Sequence, residues 1–155
     1  MRKYLNMLSL LAFLVAQNAY SKEEKLCSAM NTFVQSVGPD KSKSIEFHTA
    51  WGHNFRGVAE EAIFAKRCIH QDDVSAKNVC KYLMEHGAIE FSGTNFKNTL
   101  ECLSPKTAID ALVQFEEASV SMTYGSDERG AIVDLSLKSN AEIDGMVLKI
   151  EAQGY

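Results

Sequence analysis

The side chains with most chemical potential in this sequence are four cysteines, four histidines and one run that gathers an indole, an imidazole and a guanidinium. Cys27, Cys68, Cys80 and Cys102 form an even set without a C-x-x-C pair. That pattern argues against a redox dithiol or a zinc ribbon and for two structural disulfides in an oxidising compartment. Imidazole titrates near neutrality and binds metals. However, His48, His53, His70 and His86 follow no recognised ligand spacing, and the sequence has no H-E-x-x-H run. His70 and His86 fall at expected helix ends, where a positive side chain suits the helix dipole. Neither a metal site nor a cofactor is expected.

Trp51-Gly52-His53-Asn54-Phe55-Arg56 is the most unusual local run. It falls at an expected strand-to-helix turn, a place where a rigid scaffold often presents functional groups. The simplest reading anchors the turn in the core through Trp51 and Phe55 and leaves His53 and Arg56 in solvent. A catalytic alternative has His53 act with Arg56 and a carboxylate brought close by the fold, as in a small hydrolase. Gly52 and Gly57 lack the Lys and Ser/Thr of a phosphate loop, and their spacing is not a dinucleotide fingerprint. A G-x-S-x-G elbow is also missing. Glu60 with Glu61, and Asp72 with Asp73, are adjacent only along the chain, and adjacent helical residues point apart. A second candidate is the polar loop Tyr124 to Gly130, which could offer Tyr124, Asp127 and Arg129 to a partner, or could simply connect a hairpin.

The elements that position these groups follow an expected export signal. Arg2 and Lys3 precede a mostly apolar run from Leu5 to Val15, and small residues at Ala19 and Ser21 place cleavage after Ser21. The run is too short to span a bilayer, which takes about 20 apolar residues. The signal holds two of the 16 basic residues and none of the 20 acidic ones, so its removal moves the formal charge from −4 to −6. An acidic chain repels phosphate backbones, and no nucleic-acid role is expected.

Residues 22–155 are read as one disulfide-stapled α+β domain with about four helices. Leu26, Met30, Phe33, Val34 and Val37 mark a helix over 22–37. Ser44 to Trp51 alternates as a strand, with Ile45, Phe47, Thr49 and Trp51 on the buried face. A second helix is predicted from Asn54 to about Ile69 on the stripe Val58, Ala62, Ala65 and Ile69. A third runs over 74–86 behind an aspartate cap, and a fourth starts at Ser92 with Phe91 and Phe96 spaced as a hydrophobic staple. Lys106 to Ala118 fits helix and strand equally. From Ser119 the period becomes two, which gives a C-terminal antiparallel β-meander with one wet face.

Antiparallel neighbouring helices would bring Cys27 to Cys68 and Cys80 to Cys102. The second-ranked pairing is Cys68–Cys80 with Cys27–Cys102. The expected function is that of a periplasmic or secreted non-enzymatic protein that binds a protein partner, with an inhibitor or immunity-type protein as one concrete form. Besides the hydrolase, the alternative is a small-ligand module with an apolar pocket between helices and sheet. No membrane span is expected after the signal.

Overall fold

The structure, a computed structural model, describes residues 24–126 and 129–155. The expected export signal over 1–21, and Asp127 in the glycine-bounded loop, lie outside the described residues. The elements are α1 (residues 24–35), β1 (Ser42–Trp51), β2 (Phe64–Ile69), α2 (Val74–His86), α3 (Gly93–Leu103), β3 (Ala118–Gly125), β4 (Gly130–Asn140) and β5 (Gly145–Gly154). The class is α+β, with three helices among the described residues where about four were expected.

The expected meander β3–β4–β5 is present, and it is part of a larger antiparallel sheet of order β2-β1-β5-β4-β3. β1 lies beside the last strand, in register from Ser42↔Gln153 to Thr49↔Met146. Period-two alternation gives the sheet one apolar face. Ile45, Phe47, Val133, Leu135, Leu137, Leu148 and Ile150 on that face are all buried. The helices cover it with Leu26, Met30 and Phe33 from α1, Ala76, Val79 and Leu83 from α2, and Phe96 and Leu100 from α3. Asp73 caps α2 by accepting the Ala76 amide at 2.8 Å. Ser92 sits at the N-cap of α3 without a capping bond. Phe91 is exposed while Phe96 is buried.

The predicted helix over 54–69 does not form. Gly52 and Gly57 hold φ of +85° and +83°, a left-handed conformation that breaks a helix and that glycine adopts without steric cost. The Asn54 side chain, at the start of that predicted helix, closes a loop instead. It accepts the Phe55 amide at 2.8 Å and donates to the Glu60 carbonyl at 2.9 Å. Val58 and Ile69, two members of the predicted stripe, are exposed. Residues 64–69 extend as β2 and pair with β1 from Glu46↔Ile69 to Trp51↔Phe64. His70 therefore follows a strand, not a helix.

This change also overturns the first-ranked disulfides, Cys27–Cys68 and Cys80–Cys102. Cys68 sits on a strand under α2 and bonds Cys80, while Cys27 of α1 bonds Cys102 near the end of α3. Residues 104–117 form neither a helix nor a strand. Asp110 Oδ1 takes the Leu112 amide at 2.7 Å and turns the chain. Phe115 then docks on Phe96, with ring centroids 5.0 Å apart. A Cβ at Gly93 would collide with the Phe115 carbonyl, so only glycine lets α3 start under this segment.

The two crosslinks close loops of different size, with sequence separations of 75 and 12. Chain-entropy scaling puts their contributions at about 4–5 and about 3 kcal/mol. Non-reducing peptide mapping is expected to yield only Cys27–Cys102 and Cys68–Cys80 linked fragments. Denaturant unfolding should show a larger loss for the double alanine variant at 27 and 102 than for the one at 68 and 80.

Candidate functional site

The Trp51 run occupies the end of β1 and the loop that follows it. Trp51, expected to anchor the core, is 53 % exposed, whereas Phe55 is buried. The loop folds onto the sheet face opposite the helices. There the Phe55 ring meets His48 edge-on, with centroids 6.3 Å apart, and takes the Arg67 guanidinium over its face at 4.8 Å. His48, expected on the wet face, is therefore covered. Its Nε2 lies 3.2 Å from Glu46 Oε2, and its buried Nδ1 has no partner among the described residues.

The other members of the run stay at the surface and apart. His53 Nδ1 lies 2.8 Å from the Asn54 carbonyl. Arg56 Nη2 is 3.9 Å from Asp144 Oδ2, with both side chains more than half exposed. Among the described residues, no hydrogen bond joins His53 to Arg56 or to a carboxylate.

Trp51 and His53 do line a cleft of about 470 Å3 together with Ile89, Asn140, Asp144 and Met146. The cleft joins the end of β1, the segment before α3 and the β4–β5 turn. It is held in place by the buried bond between Thr49 and Ser92, whose hydroxyl oxygens are 2.7 Å apart. Asn95 fixes the same segment by bonding both the amide and the carbonyl of Ala88, at 2.8 and 2.7 Å. Phe64, the register partner of Trp51, is 50 % exposed. Opposed residues of an antiparallel pair share a face, so these two rings stand side by side beyond the helices. Ile63 and Phe91, close by in the chain and the fold, are 72 % and 61 % exposed.

Tyr124 and Arg129, from the second candidate loop, line a cleft of about 360 Å3 at the end of α1 with Val34, Gln35, Val37 and Ala131. The Tyr124 hydroxyl donates to Asn31 Oδ1 at 3.1 Å.

A third cluster carries no local sequence signal. Lys43 of β1 donates to Ser36 Oγ at 2.9 Å and pairs with Asp73 at 2.6 Å. Ser36 and Ser75 lie 2.8 Å apart, and Ser75 donates to Asp73. A serine beside a lysine resembles the dyad of some acyl-transfer enzymes, but a lysine base must be neutral. Burial alone would push the Asp73 carboxyl up. The hydrogen bonds from Lys43, Ser75 and the Ala76 amide, with the charge of Lys43, outweigh it and hold Asp73 at about 2. Lys43 is therefore engaged by that carboxylate in an ion pair. The cluster is a brace that ties the end of α1, the start of β1 and the cap of α2.

Among the described residues, no group of three or more His, Cys, Asp or Glu side chains is arranged to hold a metal ion, and no helix is long and apolar enough to cross a membrane. No family model matches the chain, and no curated protein or solved structure shows significant similarity to it.

The brace predicts an acid-sensitive term in stability. The folded carboxyl of Asp73 titrates below its ordinary value of 3.8. Its contribution is therefore complete above that value and lost as pH falls through about 2. Because the pair is about one quarter exposed, solvent screening reduces the term to about 1–2 kcal/mol. Asp73→Asn should cost that much at about pH 6 and close to nothing at about pH 2. Denaturant unfolding of both proteins across this range measures the difference directly.

Proposed function

We propose that this chain is an exported, non-enzymatic protein that works in the periplasm or as a secreted protein and binds another protein through the apolar end of β1 and β2. The observation that carries the reading is the adjacent pair Trp51 and Phe64, each about half exposed, with exposed Ile63 next in the chain and exposed Phe91 between two residues that line the cleft beside Trp51. Single exposed apolar residues are ordinary on a soluble protein, but a grouped set marks a contact surface. Tryptophan is also among the residues that dominate interface energetics. The cleft beside Trp51 adds the concave shape that an anchoring side chain of a partner requires.

Two disulfides support the oxidising location. They suit a protein whose surface must persist outside the cell's chaperone system, as an inhibitor or immunity-type protein does. A second reading, as a small-ligand module, draws on the cleft beside Tyr124 and Arg129, whose walls from Val34, Val37 and Ala131 are apolar.

Trp51→Ala and Phe91→Ala remove surface groups, so unfolding should change by no more than about 0.5 kcal/mol. Affinity for the partner captured from a native extract at low salt should fall at least ten-fold. A native extract that yields no partner, or a Trp51→Ala protein that binds unchanged, would count against the reading.

A further inference from the structure

The sheet ends on β2, which has β1 on one side and no strand on the other among the described residues. Such an edge presents unpaired backbone amides and carbonyls that can accept another strand. β2 also carries two adjacent cations, Lys66 and Arg67, and strand alternation sends them to opposite faces. Neither has a carboxylate within 4 Å among the described residues. Lys66 instead donates to the Met84 carbonyl of α2 at 3.2 Å.

The helix beside the edge extends this positive surface. Cys80 is bonded to Cys68 of β2, and the carbonyl of Met84 takes Lys66, so this flank of α2 leans on β2. At 3.6 residues per turn, Lys77 and Lys81 project from the same flank. Both are exposed, and neither is paired with a carboxylate among the described residues. Four cations thus border one sheet edge on a chain whose net charge is −4. At the two ends of the strand, Phe64 and Ile69 stay exposed.

We propose that β2 is a docking edge for an extended acidic segment of a partner protein, which adds to the sheet as a sixth strand. The proposal rests on the protein-binding reading above and names the partner's chemistry. Backbone pairing would supply affinity, and alternate side chains would supply specificity. Adjacent carboxylates in the segment would face Lys66 on one side of the sheet and Arg67 on the other. Apolar residues before and after them would cover Phe64 and Ile69.

Burial lowers the pKa of the Lys66 ammonium, and a facing carboxylate would offset that cost. A second copy of this chain is the poorer occupant. Two β2 strands meeting antiparallel about Lys66 or Arg67 would set that cation directly against its own copy, and like charges directly opposed are destabilising.

The test is an amide-shift titration of the 15N-labelled full chain, disulfides intact, with a capped hexapeptide of sequence valine-threonine-glutamate-glutamate-threonine-valine. Saturable, salt-sensitive shifts are expected at the amides of residues 64–69. Binding should weaken at least ten-fold when lysines replace the glutamates. Arg67→Glu should weaken it comparably, and so should the double variant Lys77→Glu/Lys81→Glu, which leaves the sheet untouched. A peptide N-methylated at alternate backbone nitrogens keeps its charge but loses one hydrogen-bonding edge, and should not bind.

Equal binding by the N-methylated or the lysine peptide overturns the proposal. So does an absence of shifts at 64–69, or protection of these amides that grows with protein concentration, which would make a second copy the occupant. If the peptide fails while a Trp51-dependent partner is still captured, the edge assignment falls and the protein-binding reading stands. If both fail, both fall.

Discussion

The pairing of β1 with β5 is the constraint on which the rest of the structure depends. It joins the first of the described strands to the last, along a register that runs from Ser42↔Gln153 to Thr49↔Met146. Without it the meander β3–β4–β5 would expose Leu148 and Ile150 on one flank, and β1 with β2 would be an isolated hairpin, which is marginal in water. With it, one continuous apolar face forms, and three helices can close over it. Closing so long a loop costs chain entropy before any contact rewards it. Both crosslinks lower that cost from the helical side. Cys27–Cys102 holds α1 against α3, and Cys68–Cys80 fixes the outermost strand to the helix above it.

Elements with strong local signals were legible in the sequence. The stripe Leu26, Met30, Phe33, Val34 and Val37 is wholly buried, and the alternation of Val133, Leu135 and Leu137 faces the core as read. Asp73 caps α2 as its type suggests. The failures share one cause, a local pattern overridden by distant contacts. Ala62, Ala65 and Ile69 sit at helical spacing, yet the backbone of 64–69 gains more by pairing with β1 and by the bond from Cys68 to Cys80. Once those residues were read as a helix, the order of helices brought the wrong cysteines together. Residues 104–117 carry both periods weakly, and side-chain turns at Ser104, Thr107 and Asp110 decide their path.

The candidate surface was legible only in outline. The sequence singles out the run at Trp51, but not which aromatic goes in. Phe55 is buried because the loop it belongs to folds across the outer face of β1, onto His48 and Arg67. Trp51 ends β1 and stays half exposed beside the segment that precedes α3. The polar brace was not legible at all. Ser36, Lys43, Asp73 and Ser75 belong to three elements, and only the finished fold places their atoms within hydrogen-bond distance.

The two edges of the sheet show how the chain treats its own adhesiveness. β3 is bordered by Glu117, whose carboxylate accepts both the amide and the hydroxyl of Ser139, at 3.2 and 2.7 Å. That end of the outer strand is thereby tied to the close of β4, and β3 itself carries no charged residue. β2 is shorter, carries adjacent cations, and is locked to α2 by a disulfide that prevents it from peeling away. A strand that cannot leave, and whose charge repels its own kind, is protected from self-assembly without being closed to other chains. If the edge takes the acidic segment proposed above, the charges that oppose a second copy are the same ones that admit it. Exclusion of the wrong partner and admission of the right one are then two consequences of one electrostatic choice.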